Sequence, residues 1–242
     1  MNSVGAIYII PKGYYPTEAQ YIPHIYTVDE LTKFFAETDK CRYCYEHPYR
    51  HLIMPVFFRM IYTCGLRVSE ARLLKVGDVD IENGILAICH SKKDNDRLVP
   101  MSDYLTVHCR HYSEKVHPHP KQEDIYFPAL NGKPMTVGNV YNNFRRFLWC
   151  ARISHGGRGY GPRIHDFRHS FAVHCLKKWV QQKIDLAVYL PVLKTYMGHY
   201  SFADTAYYLR LTADVFPDIT LKLETLYQGI IPALGGDCDE TH

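Results

Sequence analysis

Residues 164–172 read Ile164-His165-Asp166-Phe167-Arg168-His169-Ser170-Phe171-Ala172. Phe167, Phe171 and Cys175 follow at four-residue intervals, the spacing of one helix face, so the stretch predicts a helix over His165–Gln182 with those three side chains turned inward. His165 and Arg168 are three apart and leave from another face together, where they can converge on one anion. A lone His-x-x-Arg says little by itself, because a solvated basic helix face looks the same.

Outward from this stretch the period stays mostly helical. Helices are expected at Val140–Ala151, Val188–Met197, Phe202–Leu211 and Pro217–Tyr227, with Gly198 at a helix end and a glycine-rich basic loop over Ser154–Arg163. Upstream, Thr27-x-x-Glu30 forms a capping box ahead of Leu31, Phe34 and Phe35. His51–Tyr62 is apolar on every side and reads as a buried helix, with Pro55 tolerated only near its first turn and Thr63-Cys64-Gly65 as its stop. A short helix at Ser69–Leu74 follows. Gly84–Cys89 and Arg97–Met101 read as two strands across the polar turn Ser91–Asp96, and His111–Pro134, rich in His and Pro, as a connection. The fold class is mainly α with a small antiparallel β-sheet (α+β).

The chain has 242 residues, 28 of them Lys or Arg and 25 Asp or Glu, for a net charge of +3. With 47% hydrophobic residues it can bury a full core, which excludes a mostly disordered chain. No apolar run reaches the ~18 residues of a membrane span, so no membrane partner is expected. Met1–Pro11 has no secretory pattern, and a cytoplasmic location is expected. The small net charge hides an uneven distribution: residues 141–199 hold 10 basic and 2 acidic side chains. That is the footprint of a polyanion-binding face, or of a solvated helical surface. Cys41-x-x-Cys44-x-x-His47-x-x-x-His51 raises a zinc site, but the spacing from the second Cys to the first His is too short for the usual finger, and unrelated loop residues are the favoured reading.

Five places carry side chains suited to phosphate chemistry. In Gly65-Leu66-Arg67-Val68-Ser69-Glu70, Arg67 stands at a helix start, where a guanidinium can fork onto two phosphate oxygens, or simply pair with Glu70 at the surface. Lys92 and Lys93 sit in the expected turn Ser91–Asp96, where an ammonium can swing into a nucleic-acid groove or just be solvated. His165-x-x-Arg168 is the third place, Gly198-His199 the fourth and Tyr208 the fifth, nine residues after His199. A tyrosine hydroxyl is a poor nucleophile unless cations stabilise its anion, and with 20 tyrosines present most serve packing.

Taken in order, Gly-Leu-Arg-Val-Ser-Glu, the turn lysine before Arg97-Leu98-Val99-Pro100, His-Asp-Phe-Arg-His-Ser-Phe-Ala, and Gly-His with a tyrosine nine further on resemble the tyrosine recombinases, the phage-integrase family of site-specific DNA recombinases. The resemblance covers roughly residues 24–230. It implies the tyrosine recombinase catalytic-domain fold and cleavage and rejoining of DNA through a 3′-phosphotyrosyl intermediate, as a recombinase or integrase of a mobile element. By position it implies Arg67 and Arg168 on the scissile phosphate, Lys92 as general acid, His165 and His199 as phosphate and proton-transfer partners, and Tyr208 as nucleophile. It implies no cofactor and no metal. Double-stranded DNA is the expected partner, with self-association on DNA as a synaptic multimer or a partner recombinase.

The expected organisation is an extended N-terminal arm over 1–25, a catalytic domain over 26–216, and a C-terminal helix and tail over 217–242 that docks on a neighbouring protomer or folds back in cis. Relatives in this family usually begin with a helical core-binding domain of ~100 residues, and the chain is expected to lack it. Two other readings remain open: an accessory DNA-binding protein with the recombinase fold but little recombination activity, and a type IB topoisomerase activity.

Overall fold

The computed structural model describes residues 22–89, 96–157, 161–199 and 202–216. The expected turn around Lys92, most of the N-terminal arm and the helix at Pro217–Tyr227 lie outside these residues. The elements run α1 (Val28–Asp39), α2 (Arg50–Thr63), α3 (Val68–Leu73), β1 (Val79–Asp80), β2 (Ile85–Ile88), β3 (Arg97–Pro100), α4 (Asp103–Val116), α5 (Val137–Cys150), α6 (Asp166–Gln181), α7 (Leu186–Met197) and α8 (Phe202–Val215). The three strands form an antiparallel sheet in the order β1-β2-β3, with Ile88 opposite Arg97 and Leu86 opposite Val99. Among the described residues no helix is long and apolar enough to cross a membrane.

The predicted capping box closes α1: Thr27 Oγ1 accepts from the Glu30 N–H while the Glu30 carboxylate accepts from the Thr27 N–H. The apolar α2 is the central post. Met54, Phe57, Phe58, Met60 and Ile61 are fully buried, and the helix packs against α1, α4 and α6. Pro55 is its sixth residue, deeper than the first turn to which the sequence pattern confines it. The carbonyl that loses its N–H partner belongs to His51, which is still in the first turn and only half-buried.

Two elements go beyond the sequence expectations. α4 fills much of the stretch before and within the expected 111–134 connection. Ser102 caps it, and Leu105, Cys109 and Tyr112 line its buried face. β1 is two residues long, too short to show a period. The other boundaries shift by a few residues: α5 starts at Val137 behind a Thr136 cap, α7 at Leu186 behind an Asp185 cap, and α8 runs on to Val215.

Helix α6 joins two cores. Its first turn drives Phe167 into an aromatic cluster with Phe34, Phe58 and Phe144, while Ala172, Val173, Leu176 and Val180 pack with α7 and α8. Tyr26 stacks on Phe167 with ring centroids 4.6 Å apart, and its N–H donates to Ser170 Oγ at 2.9 Å. The chain just before α1 is thereby fastened to the helix that carries Arg168.

Candidate active site

Helices α2 and α7 end close together, and both endings are made by glycine. Gly65 and Gly198 adopt left-handed backbone, with φ of +58° and +64°, a conformation that costs other L-residues about 1–2 kcal/mol. The Gly198 N–H bonds to Thr195 O and the His199 N–H to Lys194 O, which satisfies two carbonyls at the end of α7. The next three carbonyls each take an arginine. Tyr196 O accepts from Arg97 Nε at 2.8 Å, Met197 O from Arg168 Nη2, and Gly198 O from Arg67 Nη2 at 3.1 Å.

Arg168 lies in the first turn of α6 and is 1% exposed. Its second nitrogen donates to Gly65 O at 2.6 Å, so one guanidinium ties the ends of α2 and α7 together. Burial, the largest influence, lowers its pKa to about 10, which leaves it charged at neutral pH. Arg67 stands at the N-terminus of α3. Its Nη1 donates to Glu70 Oε1 at 2.7 Å and its backbone N–H to Glu70 Oε2 at 2.8 Å. About a quarter of the Arg67 side chain stays exposed (28%), so the pairing with Glu70 leaves an open edge. The phosphate-facing and Glu-paired readings of this arginine are therefore compatible.

Glu70 is also gripped from the sheet. Arg97, first residue of β3, donates Nη1 to Oε1 at 3.1 Å and Nη2 to Oε2 at 2.9 Å. Burial would raise the Glu70 pKa, but the Arg97 bonds, then the Arg67 N–H and the Arg168 charge, overcome it and hold the carboxyl at about 2.

Two imidazoles flank the tyrosine and a third lies behind them. The Tyr208 ring on α8 stacks on His199 with centroids 5.5 Å apart and planes 14° apart, and lies 5.5 Å from His169 on the other contact. His165 meets His169 edge-on at 4.8 Å. His199 Nδ1 lies 2.9 Å from Thr205 Oγ1, which fixes the ring. Tyr208 is 3% exposed. Burial raises its pKa, and the hydrogen-bonded Arg168 guanidinium opposes that rise, with Arg67 adding to the opposition. Tyr207, the neighbouring tyrosine, is exposed.

His165 is an exposed residue at the rim, yet loss of hydration on its packed side, then the Arg168 and Arg67 charges, push its pKa down to about 4. Its ring is neutral at pH 7 and can take up a proton. For His169, burial and the neighbouring His165 give about 3, and among the described residues its Nδ1 has no hydrogen-bond partner.

Of the six residues singled out from sequence, the structure brings together Arg67, His165, Arg168, His199 and Tyr208; Lys92 falls outside the described residues. Glu70, Arg97, His169 and Thr205 complete the surroundings without having been proposed as site residues. Arg97 did leave a trace in the sequence. It is in phase with buried Val99 on a strand whose pattern alternates buried and exposed, and an arginine on the inward phase needs a buried partner. Among the described residues no three His, Cys, Asp or Glu side chains gather as a metal-binding group, so Cys41, Cys44, His47 and His51 do not converge.

Known proteins place the chain in a family. The model of the Phage integrase family matches residues 26–214. A Sinorhizobium fredii protein named as an integrase/recombinase, y4rB, is 28% identical over 228 residues, covering 91% of this chain and 72% of its own. Tyrosine recombinase XerD of Proteus mirabilis is 28% identical over 172 residues, covering 70% and 49%. The chain thus spans between half and three quarters of these relatives' lengths. The crystal structure of XerA recombinase shares the fold at a TM-score of 0.64 and 19% identity, over 90% of this chain and 68% of that one. The catalytic domain of bacteriophage HP1 integrase does so at 0.53 and 20%, over 88% of this chain and 100% of that one. With the family match running over most of its length, the chain belongs to the phage integrase family, among relatives named integrases and tyrosine recombinases.

Proposed function

We propose that the protein is a site-specific DNA recombinase of a mobile element, with residues 26–216 as its catalytic domain, cleaving and rejoining DNA through Tyr208. The observation that carries this reading is the meeting of the Tyr208 hydroxyl with the Arg168 guanidinium beside Arg67 and between His199 and His169. A phosphodiester resists an anionic nucleophile, and cations aimed at the nonbridging oxygens lower that barrier. In the proposed step Tyr208 Oη attacks phosphorus and the bond from phosphorus to the 5′ oxygen breaks. The neutral His165 takes the tyrosyl proton, and Lys92 protonates the leaving 5′ oxygen. Arg67, Arg168 and His199 bear the charge on the pentacoordinate phosphorus. The 3′-phosphotyrosyl bond keeps the phosphodiester energy, so a second 5′-hydroxyl can reverse the step on another strand.

Duplex DNA is the substrate in this reading, with a second protomer or a partner recombinase supplying the other cut. One of the solved relatives, XerH recombinase, was captured on a palindromic difH substrate after cleavage, at 22% identity. The test is a nicked suicide duplex taken from the DNA that flanks the coding region. Wild type should trap a covalent adduct and Tyr208→Phe none. An adduct that survives in Tyr208→Phe refutes the nucleophile, and binding of that duplex without any adduct in wild type marks an accessory DNA-binding protein instead.

A further inference from the structure

The proposed chemistry leaves Arg97 without a task, yet its side chain is buried and fully engaged. Its side chain is 3% exposed, and all three guanidinium nitrogens are used: two fork onto Glu70 and Nε holds Tyr196 O. It therefore has little left to offer a phosphate. What it touches, however, are the two supports of the phosphate-binding groups. Glu70 fixes both the backbone and the guanidinium of Arg67, and the turn after Tyr196 carries His199. The same guanidinium lies flat on Gly198, where an added Cβ would come within 2.9 Å of Nη1 and 3.1 Å of Cζ. Arg97 also begins β3, so it joins the sheet to α3 and to the end of α7.

We propose that Arg97 is a positioning residue for strand cleavage: it sets Arg67 through the Glu70 carboxylate and the His199 turn through the Tyr196 carbonyl. The proposal rests on the recombinase reading given above. A lysine at this position presents one compact ammonium, which cannot fork onto both carboxylate oxygens and reach the carbonyl as well. A shift of the order of 1 Å in a positioned group costs up to about 100-fold in rate.

The experiment compares Arg97→Lys and Glu70→Gln with wild type. Single-turnover cleavage of the suicide duplex is measured at saturating protein, with DNA affinity and unfolding measured separately. The expected result is a cleavage rate about 10- to 100-fold lower, with affinity within about threefold and a cooperative unfolding transition retained. In Arg97→Lys the acid limb of the rate, set in wild type by His165, should also move to higher pH. The Glu70 carboxyl, still facing Arg67, Arg168 and the neutral His165, loses its strongest hold and titrates nearer its ordinary range. A wild-type rate in Arg97→Lys, an unaltered pH profile, a loss of rate matched by an equal loss of affinity, or unfolding of both variants overturns the proposal. Absence of an adduct from wild type is a different result, because it refutes the recombinase reading. The Arg97 linkage is then judged by side-chain NMR: restricted rotation of the Arg67 guanidinium in wild type that is lost in Arg97→Lys supports it, and equal mobility in both refutes it.

Discussion

Replacing Gly198 by alanine adds one methyl group at the point where α7, Arg97 and His199 meet. Two costs follow from the geometry. Alanine in left-handed backbone is worse than glycine by about 1–2 kcal/mol. The new Cβ would also stand 2.9 Å from Arg97 Nη1, 3.1 Å from Cζ and 3.2 Å from Nε, against an ordinary contact of 3.4 Å or more. The guanidinium must withdraw by roughly half an ångström, but its bonds to both Glu70 oxygens and to Tyr196 O resist that movement. Full rupture of a buried ion pair by loss of one partner costs about 3–5 kcal/mol, and partial stretching should cost about 1–2 kcal/mol of this. The total is about 2–4 kcal/mol, or roughly 4–16 °C in melting temperature for a chain of this size. Urea and thermal unfolding measure it, with Gly138→Ala alongside as the control. Gly138 lies in the first turn of α5, with open space where the methyl would go and no positive φ, so alanine there should raise stability by up to about 1 kcal/mol. If Gly198→Ala unfolds at the wild-type midpoint, the guanidinium is free to move and the reasoning about this contact fails.

Three further outcomes follow from the same contacts. His165 and His169 titrate at about 4 and about 3 in the fold, against about 6.5 in an unfolded chain. The unfolded chain therefore takes up protons first, and their stabilisation, complete above about pH 6.5, should decline as pH falls toward 4 and 3; a urea midpoint that stays constant from pH 7.5 to 4.5 would falsify these environments. Phe167→Ala removes a fully buried ring that touches Tyr26, Phe34, Phe58 and Phe144 and should cost about 3–5 kcal/mol, read by chemical denaturation. Ser170→Ala takes away the acceptor of the Tyr26 N–H and should cost about 1–3 kcal/mol. It should also bring protease cleavage near residue 26, and an unchanged digestion pattern would count against this fastening.

Local signals make most of the helices legible. The Thr27/Glu30 box, the all-round apolar run of α2 and the helical period after Phe167 each depend on neighbours in sequence, so their physics can be read along the chain. Phe171 and Cys175 are nonetheless only half-buried, and the deep face of α6 runs through Phe167, Ala172, Val173, Leu176 and Val180. α4 escapes such a reading because the His- and Pro-rich chain after it masks a stripe of Leu105, Cys109 and Tyr112 behind a serine cap. At the site, residue types and order point to Arg67, His165, Arg168, His199 and Tyr208, while the partnership of Arg97 with Glu70 joins residues 27 apart and needs the fold to appear. The alternative placed beside Arg67, a pairing with Glu70, is present in the structure. It fails as an alternative because one guanidinium can bond to a carboxylate and still keep an open edge.

The acceptors chosen for the arginines explain how the site stays cationic. Among the described residues three guanidiniums share the carboxylate of Glu70, so much of their positive charge is not matched by that group. Had each arginine been held by its own carboxylate, the positions would be as firm but the charge would be spent before any anion arrived. Backbone carbonyls at the end of α7 avoid this. They carry the partial negative charge of a helix C-terminus, about half an elementary charge in all, which is enough to satisfy buried N–H groups without cancelling a full cation. Loss of hydration is the main cause of the lowered pKa of His165, and the Arg168 and Arg67 charges add to it. An arriving phosphate reverses that influence: its negative charge favours the protonated imidazole. The ring that takes up the tyrosyl proton in the proposed step would thus become a stronger base when the substrate binds.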